Sequence, residues 1–93
     1  MEIIHHDGRE KGVFKAKNET VKMGEMTYVW VDKHKIIIDH TGVDPDFEGN
    51  GIGTQLIMKA VDFARDKNIK IMPHCPFAKK IFMKDKNIAD VLA

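Results

Sequence analysis

The stretch Gly42-Val-Asp-Pro-Asp-Phe-Glu-Gly-Asn-Gly-Ile-Gly-Thr-Gln-Leu56 decides how this chain is read. It gathers Asp44, Asp46 and Glu48 with Gly42, Gly49, Gly51 and Gly53, then runs into an apolar periodic segment. Three uses compete for it: a calcium loop, a phosphate cradle, or an ordinary glycine-rich turn. For calcium, Asp44, Asp46, Glu48 and Gly49 fall on loop positions 1, 3, 5 and 6 of an EF-hand. The match then fails, because Gln55 stands where the bidentate glutamate belongs and the segment before the loop reads as a strand. For phosphate, the order strand, glycine-rich turn, helix is favourable. The first N–H groups of a helix lack intrahelical acceptors and lie at the positive end of its dipole. Glycines at 49, 51 and 53 remove the Cβ atoms that would hold an anion away. It is neither a P-loop, since no Gly-Lys-Ser/Thr follows, nor a dinucleotide fingerprint, since its glycines alternate and no βαβ unit precedes it.

Outward from this loop, the 93-residue chain has room for one compact domain. Its 43% hydrophobic and 31% charged residues suit a globular chain. A net charge of +1, with lysines interleaved among acids, argues against nucleic-acid binding. No apolar run reaches the roughly 20 residues of a membrane span, and the N-terminus lacks the apolar core of a signal peptide. A single cysteine forms no internal disulfide and suits a reducing compartment, so the expected location is the cytoplasm and the expected state a monomer.

The first half reads as strands. Residues 2–6 form a short edge strand, and 12–18 a second. Residues 19–32 carry the β-formers Thr27, Tyr28, Val29, Trp30 and Val31, and 35–43 follow after a polar turn at Asp32–Lys35. Tyr28 and Trp30 point one way and Val29 and Val31 the other, which predicts a central strand covered on both faces. From Ile52 the period changes. Ile52, Leu56, Ala60 and Ala64, widened by Ile57, Val61 and Phe63, predict an amphipathic helix of about four to five turns. Asn68 suits a left-handed C-cap. Residues 69–73 form a strand, Cys75 an N-cap and Pro76 the first position of a second helix, while 87–93 read as a partial helix or a frayed tail. The order β-β-β-β-α-β-α predicts a mixed α/β or α+β domain.

Two side chains carry chemistry. Cys75 at a helix N-cap faces the positive end of the dipole and nearby N–H donors, a setting that favours a nucleophilic thiolate; the alternative is a small buried hydrophobe. Strict alternation puts His40 on one face with Ile36 and Ile38, where it is either a hydrogen-bonded core residue or a base. His5, His6 and His34 read as surface or turn residues, and no His/Cys spacing suits a zinc site.

Residues 43–57 resemble the acetyl-CoA loop of the GNAT acyltransferase superfamily: a strand ending Val-x-Pro, then Arg/Gln-x-x-Gly-x-Gly/Ala, then a helix. Val43, Pro45, Gly51 and Gly53 match, and Leu56 falls where the first core residue of the helix belongs. The His40-Thr41 pair and the Pro-x-Cys-x-aromatic motif at Pro73, Cys75 and Phe77 are similar to a small single-domain GNAT-like subfamily, the likeness covering roughly residues 38 to 83. The departure is Glu48 in place of Arg or Gln.

The resemblance implies a mostly antiparallel sheet with a long helix after the glycine loop and a second, C-terminal helix. It implies that acetyl-CoA lies where two strands splay, its pyrophosphate on the backbone of Gly49, Asn50, Gly51, Ile52, Gly53 and Thr54. The pantetheine would run along Thr41, Gly42 and Val43, beside Pro76 and Phe77, with the thioester toward His40 and Cys75. Lys79 and Lys80 would meet cofactor phosphates or form a solvated helix face. Two functions follow from the resemblance. One is acetyl transfer to a small or protein-borne amine, with His40 as base or Cys75 as covalent acceptor. The other is a module that holds acetyl-CoA or CoA without turnover. The absence of a helical pattern before residue 48 leaves little with which to grip a large substrate.

Overall fold

The computed structural model describes residues 1–93. Five strands, β1 (Glu2–Asp7), β2 (Lys11–Asn18), β3 (Val21–Asp32), β4 (Lys35–Val43) and β5 (Lys70–Pro73), form one sheet in sequence order. Helices α1 (Ile52–Lys67) and α2 (Pro76–Lys84) and the short 3-10 helices Pro45–Phe47 and Lys86–Val91 complete it. The first four strands pair antiparallel; β5 alone is parallel to its neighbour, since a helical crossover brings the chain back in the same direction. This is the mixed α+β domain that the change of period predicts.

Local chemistry sets the element ends. The β2–β3 turn is two residues long, and Glu19 takes φ 57°. In the β3–β4 turn the Asp32 carboxylate accepts the N–H of His34 at 2.7 Å. Asn68 ends α1 with φ 56°, its N–H turned back to Ala64 and Arg65 carbonyls. Cys75 caps α2 by accepting the N–H of Ala78 on its sulfur at 3.3 Å, with Pro76 at the first helical position. The tail takes the first of its two expected forms, a partial helix, wound as 3-10 turns. These turns bury Ile88 and Val91, and Ala93 donates to the carbonyl of Ile71 at 2.8 Å, covering the outer edge of β5.

The core lies on one side of the sheet. Phe14, Ala16, Met26, Tyr28, Ile36, Ile38 and Ile71 face α1, which buries the predicted stripe Ile52, Leu56, Ile57, Ala60, Val61 and Ala64 against them. Phe63 is half-buried within an aromatic group with His5, Phe14, Tyr28 and Trp30. The expectation that β3 is covered on both faces fails. No side chain on the opposite face is fully buried, and Val31 there is 50% exposed. Its β-branched residues serve strand formation rather than a second core.

A polar network ties the edge strand to the body. Gly12 of β2 leaves space for the Tyr28 ring, whose hydroxyl donates to Asp7 at 2.6 Å; Trp30 Nε1 donates to the same oxygen at 2.9 Å. Because the Tyr28 hydroxyl proton goes to Asp7, its oxygen accepts from His5 Nε2 at 2.7 Å. His5 stacks on Phe14 with centroids 3.9 Å apart. Burial holds the His5 ring below the usual histidine range, against the pull of Asp7.

Candidate functional site

One irregularity of β4 builds the site. Tyr28 pairs with Ile38, and the preceding residue, Thr27, pairs with His40, so Asp39 is an extra residue bulged out of the ladder. Thr27 Oγ1 donates to Asp39 at 2.7 Å and holds it there. The bulge reverses the alternation. Ile36 and Ile38 face the core, Asp39 and His40 face away, and Thr41, paired with buried Met26, faces the core side again. The expectation that His40 shares a face with Ile36 and Ile38 is therefore corrected: strict alternation holds only in an unbroken ladder. His40 is exposed on the bare face, folded over Gly42, where a Cβ would come within 3.0 Å of its Nε2. Glu25 lies opposite Gly42 and is held below the usual carboxylate range, chiefly by the hydrogen bond from Lys22, with weaker pulls from Lys15 and His40.

At the same level β4 loses its other partner. Pairing with β5 stops at Ile38, whose carbonyl accepts the N–H groups of His74 and Cys75 at 2.9 and 3.2 Å. The chain then turns into α2 while β4 continues to Val43, so the strands part in a wedge. Thr41 bridges it: its Oγ1 lies 3.3 Å from Cys75 Sγ. Cys75 is 7% exposed, behind Thr41.

The wedge opens into a cleft of about 410 Å³. Thr41 and Val43 form one wall, Phe77 another, and Gly49, Gly51, Ile52, Gly53 and Thr54 the floor at the start of α1. Phe47 and Glu48 close the mouth. Gly49 and Gly51 have φ 83° and 73°, in the left-handed region that other residues adopt at a cost. Gly53 is needed for space: a Cβ there would meet the Phe77 ring at 2.7 Å. None of the N–H groups of residues 49 through 54 donates to another atom of the chain, so consecutive donors stand free at the positive end of α1. Size alone does not distinguish this cleft, since grooves of about 460 and 510 Å³ lie beside the β1–β2 turn and on the bare face. Neither has a thiol behind its wall, and neither lies at the start of α1.

The structure thus gathers Thr41, Val43, Gly49, Gly51, Ile52, Gly53, Thr54 and Phe77 around one space, with Cys75 adjoining. Asn50 belongs to the loop but spends its side chain on the carbonyls of Phe47 and Glu48. Gly42 and His40 line the opposite face, and Pro76 only opens α2. Lys79 lines a separate groove with Phe82 and Met83, and Lys80 is exposed outside the cleft. Phe47 was not legible as a site residue; its only signal is an aromatic side chain in an otherwise polar loop. The loop's acids do not converge as in a calcium site. Asp44 accepts the N–H of Asp46 at 3.0 Å, and no three carboxylate, histidine or cysteine groups come close enough to share an ion.

Comparison with known proteins gives this geometry a family. A GCN5-like protein of Staphylococcus aureus, solved by NMR, is 36% identical over 99% of this chain and 87% of its own, with a TM-score of 0.73. A ribosomal-protein-alanine N-acetyltransferase of Brucella melitensis is 20% identical over 82% of this chain, with a TM-score of 0.69. A GNAT family acetyltransferase of Elizabethkingia anophelis with acetyl-CoA bound is 19% identical over 81%, with a TM-score of 0.66. These last two share the fold, and the chain spans only 62% and 52% of their lengths. No protein of curated function matches the sequence. The family model of the GCN5-related N-acetyl-transferases matches residues 13–91, and the chain belongs to that family.

Proposed function

We propose that this chain binds acetyl-CoA in the β4–β5 cleft and transfers its acetyl group to an amine, with Cys75 as the first acceptor. The observation that carries the reading is the run of free N–H groups from Gly49 to Thr54, beside a strand edge and a thiol. A diphosphate placed there receives charge-assisted hydrogen bonds, each worth about 1.5–3 kcal/mol. Glu48 opposes it, but an exposed carboxylate about 4 Å from a phosphate charge in water costs only on the order of 1 kcal/mol. Several donors outweigh one repulsion.

The unpaired edge of β4 from Asp39 to Val43 is free to pair with the amides of a pantetheine arm as an added strand would. That course brings the thioester to Thr41 and the sulfur behind it. The acceptor amine attacks the acetyl group from the cleft side of β4, its bond to the acetyl carbon forming as the Cys75 sulfur leaves with the amine's proton. His40, turned to the other face by the bulge, takes no part in this route. Lys79 and Lys80 stay in solvent in this reading.

The test is a titration with acetyl-CoA followed by amide NMR and by intact mass. The expected result is that the resonances of residues 49–54 move together and that an acetyl adduct forms on Cys75. Unmoved loop resonances at saturating acetyl-CoA would overturn the binding site. Binding without an adduct or any transfer to amines would leave a holding module instead of an enzyme.

A further inference from the structure

We propose that Thr41 is a catalytic residue of the Cys75 route, its hydroxyl carrying the proton between the Cys75 thiol and the sulfur that departs. The inference rests on the reading that the acyl donor lies in the β4–β5 cleft and that Cys75 accepts the acetyl group. Thr41 Oγ1 lies 3.3 Å from Cys75 Sγ and makes the one side-chain hydrogen bond that crosses the wedge. Thr41 lines the cleft and Cys75 does not, so the hydroxyl stands between the sulfur and the space for the thioester.

No ionisable side chain is hydrogen-bonded to Cys75, and the bulge at Asp39 has turned His40 to the other face. The N–H of Ala78 donates to the sulfur at 3.3 Å and cannot take a proton from it. The hydroxyl of Thr41 is the remaining group in contact that can both accept and donate one. In the step, the bond from Cys75 Sγ to the acetyl carbon forms as the bond from that carbon to the coenzyme sulfur breaks. The thiol proton passes to Thr41 Oγ1, and the hydroxyl proton of Thr41 passes to the coenzyme sulfur. A thiol and a thioester become a thioester and a thiol. No charge is left behind, and no further acid, base or oxidant is needed.

The test follows acetyl adduct formation on Cys75 by intact mass in the wild type, Thr41→Val and Thr41→Ser. Valine keeps the shape and loses the hydroxyl; serine keeps the hydroxyl. The expected result is a rate at least about 100-fold lower in Thr41→Val, the lower end of proton-transfer contributions, and restored in Thr41→Ser. Equal rates in the wild type and Thr41→Val, both folded by their amide spectra, would overturn the role of Thr41 and leave the Cys75 route standing. A wild type that binds acetyl-CoA and never gains an adduct would remove that route and the proposal with it. Should valine unfold the chain, the wild-type rate in mixtures of light and heavy water still decides. Two protons in flight bend the plot of rate against deuterium fraction, and a straight plot would overturn the relay.

Discussion

Gly51 is the position at which the glycine loop can be tested most cleanly. It holds φ 73° and ψ 15° as the N-cap of α1, with no side-chain cap, and a Cβ built on it meets nothing within 4 Å. Any cost of Gly51→Ala is therefore backbone strain rather than crowding, about 1–2 kcal/mol for an L-residue held in the left-handed region. For a domain of this size each kcal/mol moves Tm by about 4–8 °C, so the alanine variant should melt about 4–16 °C below the wild type. Asparagine enters the same region more readily and can supply the missing cap, worth about 0.5–2 kcal/mol, so Gly51→Asn should lose less than half as much. Urea unfolding at one pH gives the stabilities, and acetyl-CoA titration gives the affinities. An alanine chain that escapes strain by flipping the 49–51 backbone would scatter the free amides, and its affinity should fall beyond what unfolding explains. If Gly51→Ala is as stable as the wild type, or Gly51→Asn is the worse of the two, the left-handed N-cap is not what holds this loop.

Gly53→Ala should act differently, because its Cβ would lie 2.7 Å from a Phe77 ring that is already 38% exposed. The ring should swing into solvent and weaken acetyl-CoA binding with little loss of stability; unchanged Phe77 ring resonances would refute this. Gly12→Ala puts a Cβ 2.3 Å from the Tyr28 hydroxyl, which Asp7 and His5 hold in place, so overpacking should cost about 1–3 kcal/mol in urea unfolding. A near-neutral result would show that the Tyr28–Asp7 contact is loose. The folded state resists protonation of His5, so the unfolded chain takes up that proton first, near the ordinary value of 6.5. Stability should therefore fall as pH drops through about 6.5 and level off below the folded-state value, and His5→Gln should flatten that part of the curve. Parallel stability curves for the two proteins between pH 7.5 and 5 would rule out this linkage.

Much of this was legible because it depends on local chemistry. The stripe Ile52, Leu56, Ala60 and Ala64 states its own period, and Asn68, Cys75 and Pro76 mark helix ends through properties of single residues. The loop was legible for the same reason, since glycine at 49 and 51 answers a backbone need that few other residues meet. The face to which His40 belongs was not. It turns on whether Asp39 sits in the ladder or outside it, and that depends on Thr27, twelve residues away, donating to its carboxylate. A one-residue slip moves every later side chain to the other face and leaves no mark in the hydrophobic pattern of so short a strand. The uncovered face was misread for a related reason. Val29 and Val31 favour a strand whether or not anything packs on them.

The bulge and the wedge have a common physical consequence. Up to Ile38, β4 is paired on both edges and contributes Ile36 and Ile38 to the core. Beyond it the strand keeps only β3, carries no fully buried side chain, and ends in a loop whose amides are left to solvent. Such a segment adds little to stability, so the fold must be secured elsewhere. It is secured by the aromatic group around Tyr28, the Asp7 contacts and the apolar face of α1, most of them remote from the cleft. Free N–H groups are tolerable because Gly49, Asn50 and Gly51 are exposed and Ile52, Gly53 and Thr54 line the open cleft, where water can satisfy them. A ligand that replaces that water meets donors already pointed by rigid elements, and ordering them costs little. Glycine at 49 and 51 and the extra residue at 39 weaken the fold locally, and what they create is a fixed edge, a fixed row of donors and a thiol held against a hydroxyl between them.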